Sequence, residues 1–375
     1  MDGQFRSWAE IDTGALCHNA GALAQASPPG VGLIAIVKAG AYGHGAGIVA
    51  PALAGRVAGY GVANLAEARE LAALPHVGGV PILILSPVLP HERAGAVAGG
   101  FEVSVSTVAE AEAFAAAAAG GGRPARVHAV ADTGMGRMGA RPDEFAGLVG
   151  RIRDLARGGA IELAGVATHL PSADEEEAFT HRQIADFRDL VQALRLGPEV
   201  AVHLANSAGT LGYREEMDFV THVRPGLALY GVSPLPAHRG ALRPVLTWKT
   251  RLSLVRDLPT GATISYGRTR TLDRPSRVAT LATGYADGFP RHLSGRGAEV
   301  LIGGSRCPVL GRVTMDQIVV DVTDVPGRPE AGEEAVLIGR QGGGTIAVDE
   351  MAEKAGTIVW EILTGIGPRV VRVAV

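Results

Sequence analysis

Runs of apolar residues rich in Val, Ile and Leu alternate with helical segments along the first 230 residues of the chain. Several runs are nearly continuously apolar, which is typical of parallel strands buried on both faces. Eight strand–helix units of about 25 residues each predict a (β/α)8 barrel. A doubly wound open sheet remains the alternative, because periodicity does not show whether a sheet closes. The eight predicted strands are Val31–Val37, Val57–Ala63, Val80–Leu85, Phe101–Val105, Arg126–Ala131, Ile161–Thr168, Val200–Leu204 and Phe219–Arg224.

The pattern changes after Pro234, where shorter β-type runs punctuated by Gly and Pro predict a mostly antiparallel region. A boundary near Leu235–Arg243 therefore divides the chain into a barrel domain, residues 1–240, and a β-domain, residues 241–375. The elements predicted for the second domain are strands over Val245–Val255, Arg277–Ala282, Ala298–Ile302, Pro308–Leu310, Ile318–Val322 and Ala335–Ile338, one helix over Val348–Leu363 and a last strand over Arg369–Val375.

The composition is that of an ordinary globular protein, with 375 residues, 47% hydrophobic and 19% charged. A formal net charge of −3 argues against nucleic acid or an anionic membrane as the main partner. Cys17 and Cys307 are too few for a disulfide framework or a thiolate metal site, and without HExxH or CxxC motifs no metal is expected. With no signal peptide and no long apolar span, a soluble cytoplasmic protein is expected. Taken singly, the scattered histidines are typical of structural hydrogen bonding: His169, His181, His203 and His222.

Chemistry in a barrel gathers where the strands end, and Lys38 is the unusual residue among those positions. It directly follows the apolar run Leu33–Val37. An ammonium group there is partly desolvated, which lowers its pKa and suits covalent attachment to a carbonyl compound. A lysine that extends from the barrel rim into water is the alternative. The other residues at predicted strand ends are Asn64, Ser86, Asp132, His169, Asn206, Ser207 and Arg224.

The segment Asp132–Gly139 contains a G-x-G-x-x-G match, but Arg137 and Met138 are bulky where a dinucleotide pyrophosphate would approach. We therefore reject a Rossmann site. Ser207, after the seventh strand, and the Pro225–Leu227 turn, after the eighth, are placed like the phosphate sites that barrels build from backbone N–H groups. A lysine at the first strand facing such a site suggests pyridoxal phosphate.

Short motifs follow one another along nearly the whole chain: Trp8–Asp12, Val37–Gly45, Asp132–Gly139, Thr168–His169, His203–Ala208, Arg224–Gly226, Leu229–Gly231, Ile264–Gly267, Gly284–Gly288 and Gly311–Asp316. In these motifs and their order the chain resembles the alanine racemases, pyridoxal-phosphate enzymes built from a barrel and a β-domain. The resemblance implies interconversion of L-alanine and D-alanine with pyridoxal 5'-phosphate as cofactor. It also implies that the D-alanine supplies cell-wall peptidoglycan.

The resemblance further implies a two-base mechanism in a homodimer. Lys38 would carry the cofactor and act as one base, and Tyr266 of the second subunit would act on the opposite face of the bound substrate. Arg224 would donate to the pyridine nitrogen and keep it unprotonated, and His169 would bond to Arg224. By the same resemblance, the phosphate is held by Tyr42, Ser207, Gly226 and Leu227, the substrate carboxylate by Arg137 and the Met315 backbone of the partner subunit, and the entrance is flanked by Tyr285 and Asp316.

Three positions depart from the family pattern. Val130 stands where many relatives have a lysine, sometimes carbamylated, and this leaves open what orients Arg137. Gly40 stands where Asn is usual, and Pro368 stands where some members have a phosphate-binding Tyr. Either of the last two changes would weaken cofactor binding modestly.

Three alternatives share part of the pattern. A racemase for serine, lysine or a broad range of amino acids would share every motif, because side-chain specificity depends on packing at the entrance. A fold-related amino-acid decarboxylase would use the same barrel and lysine, but Tyr266 and the Met315–Asp316 pair argue against it. A non-catalytic pyridoxal-phosphate carrier would resemble the barrel alone.

Overall fold

A computed structural model describes residues 5–375, which form two compact units. The barrel unit consists of Ala15–Ala41 and Val49–Arg243. The β unit consists of the described residues up to Gly14, together with Tyr42–Ile48 and Pro244–Val375.

In the described part of the chain, eight parallel strands close into a barrel. The closing contact joins the last strand to the first, where Gly32 pairs with His222 and Leu33 pairs with Val223. This closure confirms the predicted barrel, and the open-sheet alternative is wrong. After β1 (Ser7–Ile11), which lies in the β unit, the barrel strands are β2 (Gly32–Ile36), β3 (Gly59–Val62), β4 (Ile82–Ile84), β5 (Glu102–Val105), β6 (Ala125–Val130), β7 (Ile161–Ala167), β8 (Ala201–His203) and β9 (His222–Val223).

Helices connect these strands, and their starts follow from the sequence. Thr107 caps the helix that begins at Val108, because its Oγ1 accepts the Glu110 N–H at 3.1 Å while Glu110 Oε2 accepts the Thr107 N–H at 3.2 Å. No helix within residues 5–375 is long and apolar enough to cross a membrane. In chain order the helices are α1 (Thr13–Ala26), α2 (Lys38–Tyr42), α3 (Ala46–Ala52), α4 (Leu65–Ala72), α5 (Arg93–Ala98), α6 (Val108–Ala118), α7 (Pro142–Ala156), α8 (Glu177–Leu194) and α9 (Ser207–Gly212).

The β unit is built on a mostly antiparallel sheet, as predicted. Its further elements are β10 (Leu246–Leu258), β11 (Thr263–Ile264), β12 (Arg270–Thr271), β13 (Ser276–Leu281), β14 (Glu299–Ile302), β15 (Ser305–Leu310), β16 (Ile318–Asp321), β17 (Glu334–Gln341), β18 (Gly344–Ile346), α10 (Val348–Ala355), α11 (Val359–Gly365) and β19 (Val371–Ala374). The strand order is β18-β17-β14-β15-β16-β13-β10-β1-β19, and β11 pairs with β12 separately.

The first strand belongs to this sheet. In β1, Ala9 pairs antiparallel with Trp248 and parallel with Arg372. Ala9 and Trp248 are fully buried, so the pairing also completes the apolar core of the β unit. The division of the chain therefore differs from the sequence-based domain of residues 1–240 at β1 and at Tyr42–Ile48. The reason is that these segments contact residues near the C-terminus, and a local pattern does not reveal such distant partners.

The single helix predicted over Val348–Leu363 is wrong, because the chain turns between α10 and α11. Gly356 ends α10 in the left-handed conformation with a φ of 72°. The Thr357 N–H donates back to the Ala352 carbonyl at 3.0 Å, which is the pattern of a Schellman cap. The apolar periodicity continues across this turn and conceals it.

Candidate active site

Lys38 lies at the C-terminal edge of the barrel and begins the left-handed helical turn α2. Residues 39–41 have φ values of 52°, 59° and 57°. The Ala39 N–H donates to Glu67 Oε1 at 2.9 Å, which ties the turn to α4. Left-handed backbone is sterically costly for most residues but not for glycine. Gly40 therefore suits this turn as well as the usual asparagine, which also tolerates that conformation.

Tyr42 ends the turn with a φ of 54° and lies in the β unit. Burial raises the pKa of its phenol to about 12, so the hydroxyl keeps its hydrogen. Arg372 Nε donates to the carbonyl of the following residue, Gly43, at 2.9 Å. A Cβ on Gly43 would lie 2.0 Å from the Leu363 carbonyl oxygen, so only glycine fits there. This packing fixes the backbone immediately after Tyr42.

Positive charge converges on the rim of the barrel. Burial lowers the pKa of Lys38, Arg137 lowers it further, Glu67 raises it and Arg224 lowers it. Burial and the charges of Arg224 and its neighbours lower the pKa of His169 to about 3, so its imidazole is neutral at physiological pH. Burial and Arg137 also lower the pKa of Arg224 to about 10. An anionic ligand would relieve this mutual repulsion.

The guanidinium of Arg224 is held by several acceptors inside the barrel. Its Nη2 donates to the Thr168 carbonyl at 2.7 Å and to the Leu204 carbonyl at 3.3 Å. The same atom lies 3.2 Å from His169 Nδ1, the contact that the family resemblance implies. Because a guanidinium only donates, His169 Nδ1 accepts and its hydrogen is on Nε2. Nη1 contacts Nδ1 of His203.

Ser207 begins α9 and faces the turn after β9. Its Oγ accepts the N–H of Gly226 at 3.0 Å and the N–H of Ala228 at 3.1 Å. Because both lone pairs are engaged, its own hydrogen remains to be donated. Leu227 begins the short 3-10 helix Leu227–Tyr230 in the same turn. A buried donor hydroxyl at a glycine turn that closely follows Arg224 fits a phosphorylated cofactor, so the residues present suit pyridoxal phosphate.

Arg137 lies on a loop that Asp132 shapes. Asp132 Oδ1 accepts the N–H groups of residues 134, 135 and 136 at 3.0, 2.8 and 3.1 Å. A Cβ on Gly139 would lie 2.6 Å from the Asp132 backbone nitrogen, so glycine is required where the loop closes. Val130 is buried in β6 before this loop. Backbone hydrogen bonds to Asp132 thus fix the loop without any charged group at Val130.

The β unit carries the remaining predicted site residues on loops that contact one another. Tyr266, Tyr285 and Met315 are 72%, 41% and 53% exposed, which is unusual for side chains of this size. The Tyr285 N–H donates to the Thr314 carbonyl at 3.0 Å. A Cβ on Gly284 would lie 2.3 Å from the same oxygen, so glycine permits this close approach. The two loops therefore present Tyr285 and Met315 together.

Asp316 and the loop of the second predicted base are also anchored within the β unit. Arg369 Nη1 donates to Asp316 at 2.8 Å. Ser265 Oγ donates to the Arg312 carbonyl at 2.6 Å, and Ser265 has a φ of 63°. No sequence motif marks Arg369, although it directly follows the unusual Pro368. These bonds hold Asp316 and the start of the neighbouring 3-10 turn in place.

The chain is similar to proteins of one family along its whole length. A sequence model of the N-terminal domain of alanine racemases matches residues 11–234, and one of their C-terminal domain matches residues 245–374. The chain belongs to the alanine racemase family. It is 44% identical over 380 residues to the alanine racemase of Symbiobacterium thermophilum, covering 99% of this chain and 98% of that protein.

Solved structures of alanine racemases share the fold. The alanine racemase of D-cycloserine-producing Streptomyces lavendulae superposes with a TM-score of 0.91 at 37% identity, covering 100% of this chain and 98% of that one. The alanine racemase of Bartonella henselae with covalently bound pyridoxal phosphate superposes with a TM-score of 0.87 at 29% identity, covering 99% of both. The resemblance and the predicted fold class are confirmed. Because the C-terminal domain matches as well, a carrier that resembles the barrel alone is disfavoured.

Three residues that the barrel brings to Arg224 were not assigned a role from the sequence. The sequence pattern predicts a structural role for His203 and marks neither His128 nor Glu102. Each of the three lies on a different strand, so no sequence motif indicates that they meet in the folded barrel. The one hint in the sequence is a polar residue in the middle of an apolar strand, such as His128 in β6, because such a residue is buried and needs a polar partner.

Proposed function

We propose that this alanine racemase family member interconverts L-alanine and D-alanine with Lys38 and Tyr266 as its two bases. Racemisation removes a proton from one face of Cα and returns one to the other face, so two groups must flank the carbon. The observation that carries the proposal is the convergence of Lys38, Arg137 and Arg224 in the barrel unit, which also offers the donor hydroxyl of Ser207.

In this proposal the barrel unit holds pyridoxal 5'-phosphate. The bound cofactor withdraws electrons from the Cα of the substrate, which makes its hydrogen acidic. Lys38 binds it covalently, and its lowered pKa supports this because a neutral amine is the reactive form. Arg224 donates to the pyridine nitrogen from a guanidinium whose other bonds are fixed. The phosphate is held by Tyr42, Ser207, Gly226 and Leu227, with the Ser207 hydroxyl hydrogen directed to it.

The remaining residues bind the amino acid and move its proton. Arg137 and the Met315 backbone hold the substrate carboxylate, and Tyr285 and Asp316 flank the entrance. Lys38 and Tyr266 each accept or return a proton at Cα from their own face. His169 is neutral and accepts a hydrogen bond from Arg224. Arg224 is therefore the cationic member of this pair, and we assign to it the contact with the cofactor nitrogen.

We further propose a homodimer with composite sites, in which Tyr266 and Met315 of one subunit complete the site around Lys38 of the other. The high exposure of Tyr266, Tyr285 and Met315 on adjoining loops supports this, since large apolar side chains grouped on a surface mark an interaction site. Cys17 and Cys307 are free thiols, which suits the reducing cytoplasm as the location. The D-alanine produced would serve cell-wall peptidoglycan.

The deciding experiment measures D-alanine formed from L-alanine by purified protein, with Lys38→Ala as the matched inactive variant. The wild-type protein should racemise alanine and retain pyridoxal phosphate on Lys38 after borohydride reduction. Serine and lysine assayed in parallel test the alternatives, because a serine or lysine racemase would use one of them faster than alanine and a broad-range racemase would use them at rates similar to alanine. A Lys38→Ala variant that keeps the same reducible absorbance band would contradict the assignment of Lys38.

A further inference from the structure

Arg224 is one end of a chain of hydrogen bonds that runs through the interior of the barrel. Nη1 of Arg224 contacts Nδ1 of His203. Nε2 of His203 lies 2.7 Å from Nδ1 of His128, and Nε2 of His128 lies 2.9 Å from Oε2 of Glu102. These three residues, the buried relay, are only 1%, 1% and 6% exposed. They come from β8, β6 and β5, so closure of the barrel brings them together.

The neighbouring strand leaves room for the middle of the buried relay. A Cβ on Gly165 in β7 would lie 2.3 Å from Nδ1 of His128 and 2.6 Å from its Cε1. Real side chains never approach so closely, so any other residue at position 165 would displace the imidazole. Glycine at this position is therefore a condition for the His203–His128 contact.

The hydrogen bonds of the buried relay run in one direction. The guanidinium of Arg224 has only donors, so His203 Nδ1 accepts and the hydrogen of this ring is on Nε2. His203 then donates to His128 Nδ1, which places the His128 hydrogen on Nε2 as well. His128 in turn donates to the Glu102 carboxylate. Each group donates toward Glu102, which accepts at the end.

The charge of Glu102 sets this direction. Burial acts to raise the pKa of Glu102, but the hydrogen bonds from His128 and Arg126 and the charge of Arg126 outweigh it and hold the pKa at about 2. Arg126 donates to Oε1 from Nε at 3.1 Å and from Nη2 at 2.8 Å, which leaves Oε2 for His128. Burial and the charge of Arg224 lower the pKa of His203 well below its usual value, so this ring stays neutral.

We propose that the buried relay positions Arg224 for catalysis, by holding its guanidinium in the orientation from which it donates to the pyridine nitrogen. This rests on the proposed function, because that orientation matters only if the cofactor ring lies against Arg224. The members of the relay touch neither substrate nor cofactor, so they are positioning residues. A guanidinium that lost this orientation would let the nitrogen gain a proton, which would strengthen electron withdrawal and promote transamination. In that side reaction the amino group of alanine stays on the cofactor, whose aldehyde becomes an amine, and pyruvate is released.

The first test needs no cofactor, and its result is read from the wild-type protein. Two-bond 1H–15N correlations of cofactor-free protein labelled with 15N-histidine report which ring nitrogen carries the hydrogen, and single His128→Gln and His203→Gln variants assign the signals. Both rings should carry their hydrogen on Nε2 and leave Nδ1 as the acceptor, as the contacts require. A hydrogen on Nδ1 of either ring, or a doubly protonated ring, would overturn the relay. This result stands whether or not the chain racemises alanine.

The second test compares Glu102→Gln with Glu162→Gln. Glu162 also bonds Arg126 but does not contact His128, so its variant removes the same charge outside the relay. Glu102→Gln should raise the pyruvate released per racemisation about tenfold and lower kcat by a similar factor, while KM for alanine stays within about twofold. Glu162→Gln should leave all three unchanged. Equal pyruvate ratios in the two variants would overturn the proposal.

Gly165→Ala provides a variant that removes no polar group. Its Cβ displaces the His128 ring, so the amount of pyruvate released per racemisation should rise as it does in Glu102→Gln. A folded Gly165→Ala protein with the wild-type ratio would contradict the proposal. If the wild-type protein does not racemise alanine, the proposed function fails, and the relay is then judged by the histidine signals alone.

Discussion

Asp132→Ala removes the carboxylate that shapes the loop carrying Arg137. In the wild-type chain Oδ1 accepts three backbone N–H groups at 2.8–3.1 Å, and Oδ2 accepts the Gly136 N–H at 3.0 Å. Without these bonds the exposed N–H groups turn to water, and the loop loses its single preferred conformation. In the proposed site Arg137 holds the substrate carboxylate, so a mobile loop should raise the KM for alanine.

The size of this effect follows from the bond that is weakened. A hydrogen bond to a charged group contributes about 1.5–3 kcal/mol, and the contact of Arg137 with a carboxylate is of this kind. Losing most of it raises KM by about 10–100-fold, since each 1.4 kcal/mol is roughly a factor of ten. The free energy of unfolding should fall by only about 1 kcal/mol, because water replaces the acceptor at exposed N–H groups.

The assay is the KM for L-alanine, measured beside the dissociation constant of pyridoxal phosphate. The cofactor constant should change by less than about twofold, because Ser207 and its turn are untouched. Asp132→Asn keeps Oδ1 as an acceptor and should raise KM by less than about fivefold. Asp143→Ala, which removes a carboxylate from the exposed pair with Arg141, should change neither constant. A wild-type KM in Asp132→Ala would refute the role of Asp132 in placing Arg137.

Three further predictions follow from the same geometry. Dimers mixed from Lys38→Ala and Tyr266→Ala chains should recover about a quarter of wild-type activity, since half of them are hybrids with one intact composite site; no recovery after proven subunit exchange would mean that each site is built within one chain. Gly284→Ala should lower both the melting temperature and the racemase activity, because its Cβ would lie 2.3 Å from a backbone oxygen of the facing loop. Relieving this overlap costs about 1–3 kcal/mol, and an unchanged melting temperature would contradict this prediction. The pKa of His169 is about 3 in the folded chain and 6.5 unfolded, so the unfolded state binds more protons between these values, and the free energy of unfolding should decrease as the pH falls below 6.5. Urea unfolding of cofactor-free His169→Asn should show a flatter profile over that range, and an unchanged slope would refute the assignment.

The barrel strands could be predicted because a strand buried on both faces must be apolar at nearly every position. Seven of the eight predicted runs contain a barrel strand, and the run Arg126–Ala131 overlaps β6 from its second residue onward. The last strand, β9 (His222–Val223), is much shorter than the run Phe219–Arg224. The position of β1 could not be predicted in this way. Its partners Trp248 and Arg372 lie far along the chain, and its own pattern suits either unit.

Some residues of the candidate site could also be predicted from the sequence, and others could not. Lys38 stands out because a charged group directly after an apolar strand is rare, and only the family resemblance implies roles for Tyr266 and Arg224. The buried relay could not be found from the sequence, since His128 and His203 are 75 positions apart and meet only in the closed barrel. The role of Asp132 was also hidden, because its acceptors face the backbone of its own loop and backbone bonds leave no pattern of residue types.

Hydrogen exchange at Cα in deuterated water tests the two-base account most directly. In the role assignment that the family resemblance implies, Lys38 acts on D-alanine and Tyr266 acts on L-alanine. Tyr266→Phe should therefore bind cofactor and substrate, lose racemisation, and still exchange the Cα hydrogen of D-alanine far faster than that of L-alanine. Equal exchange of both enantiomers by Tyr266→Phe would show that Tyr266 is not a base, and the two-base account would be wrong.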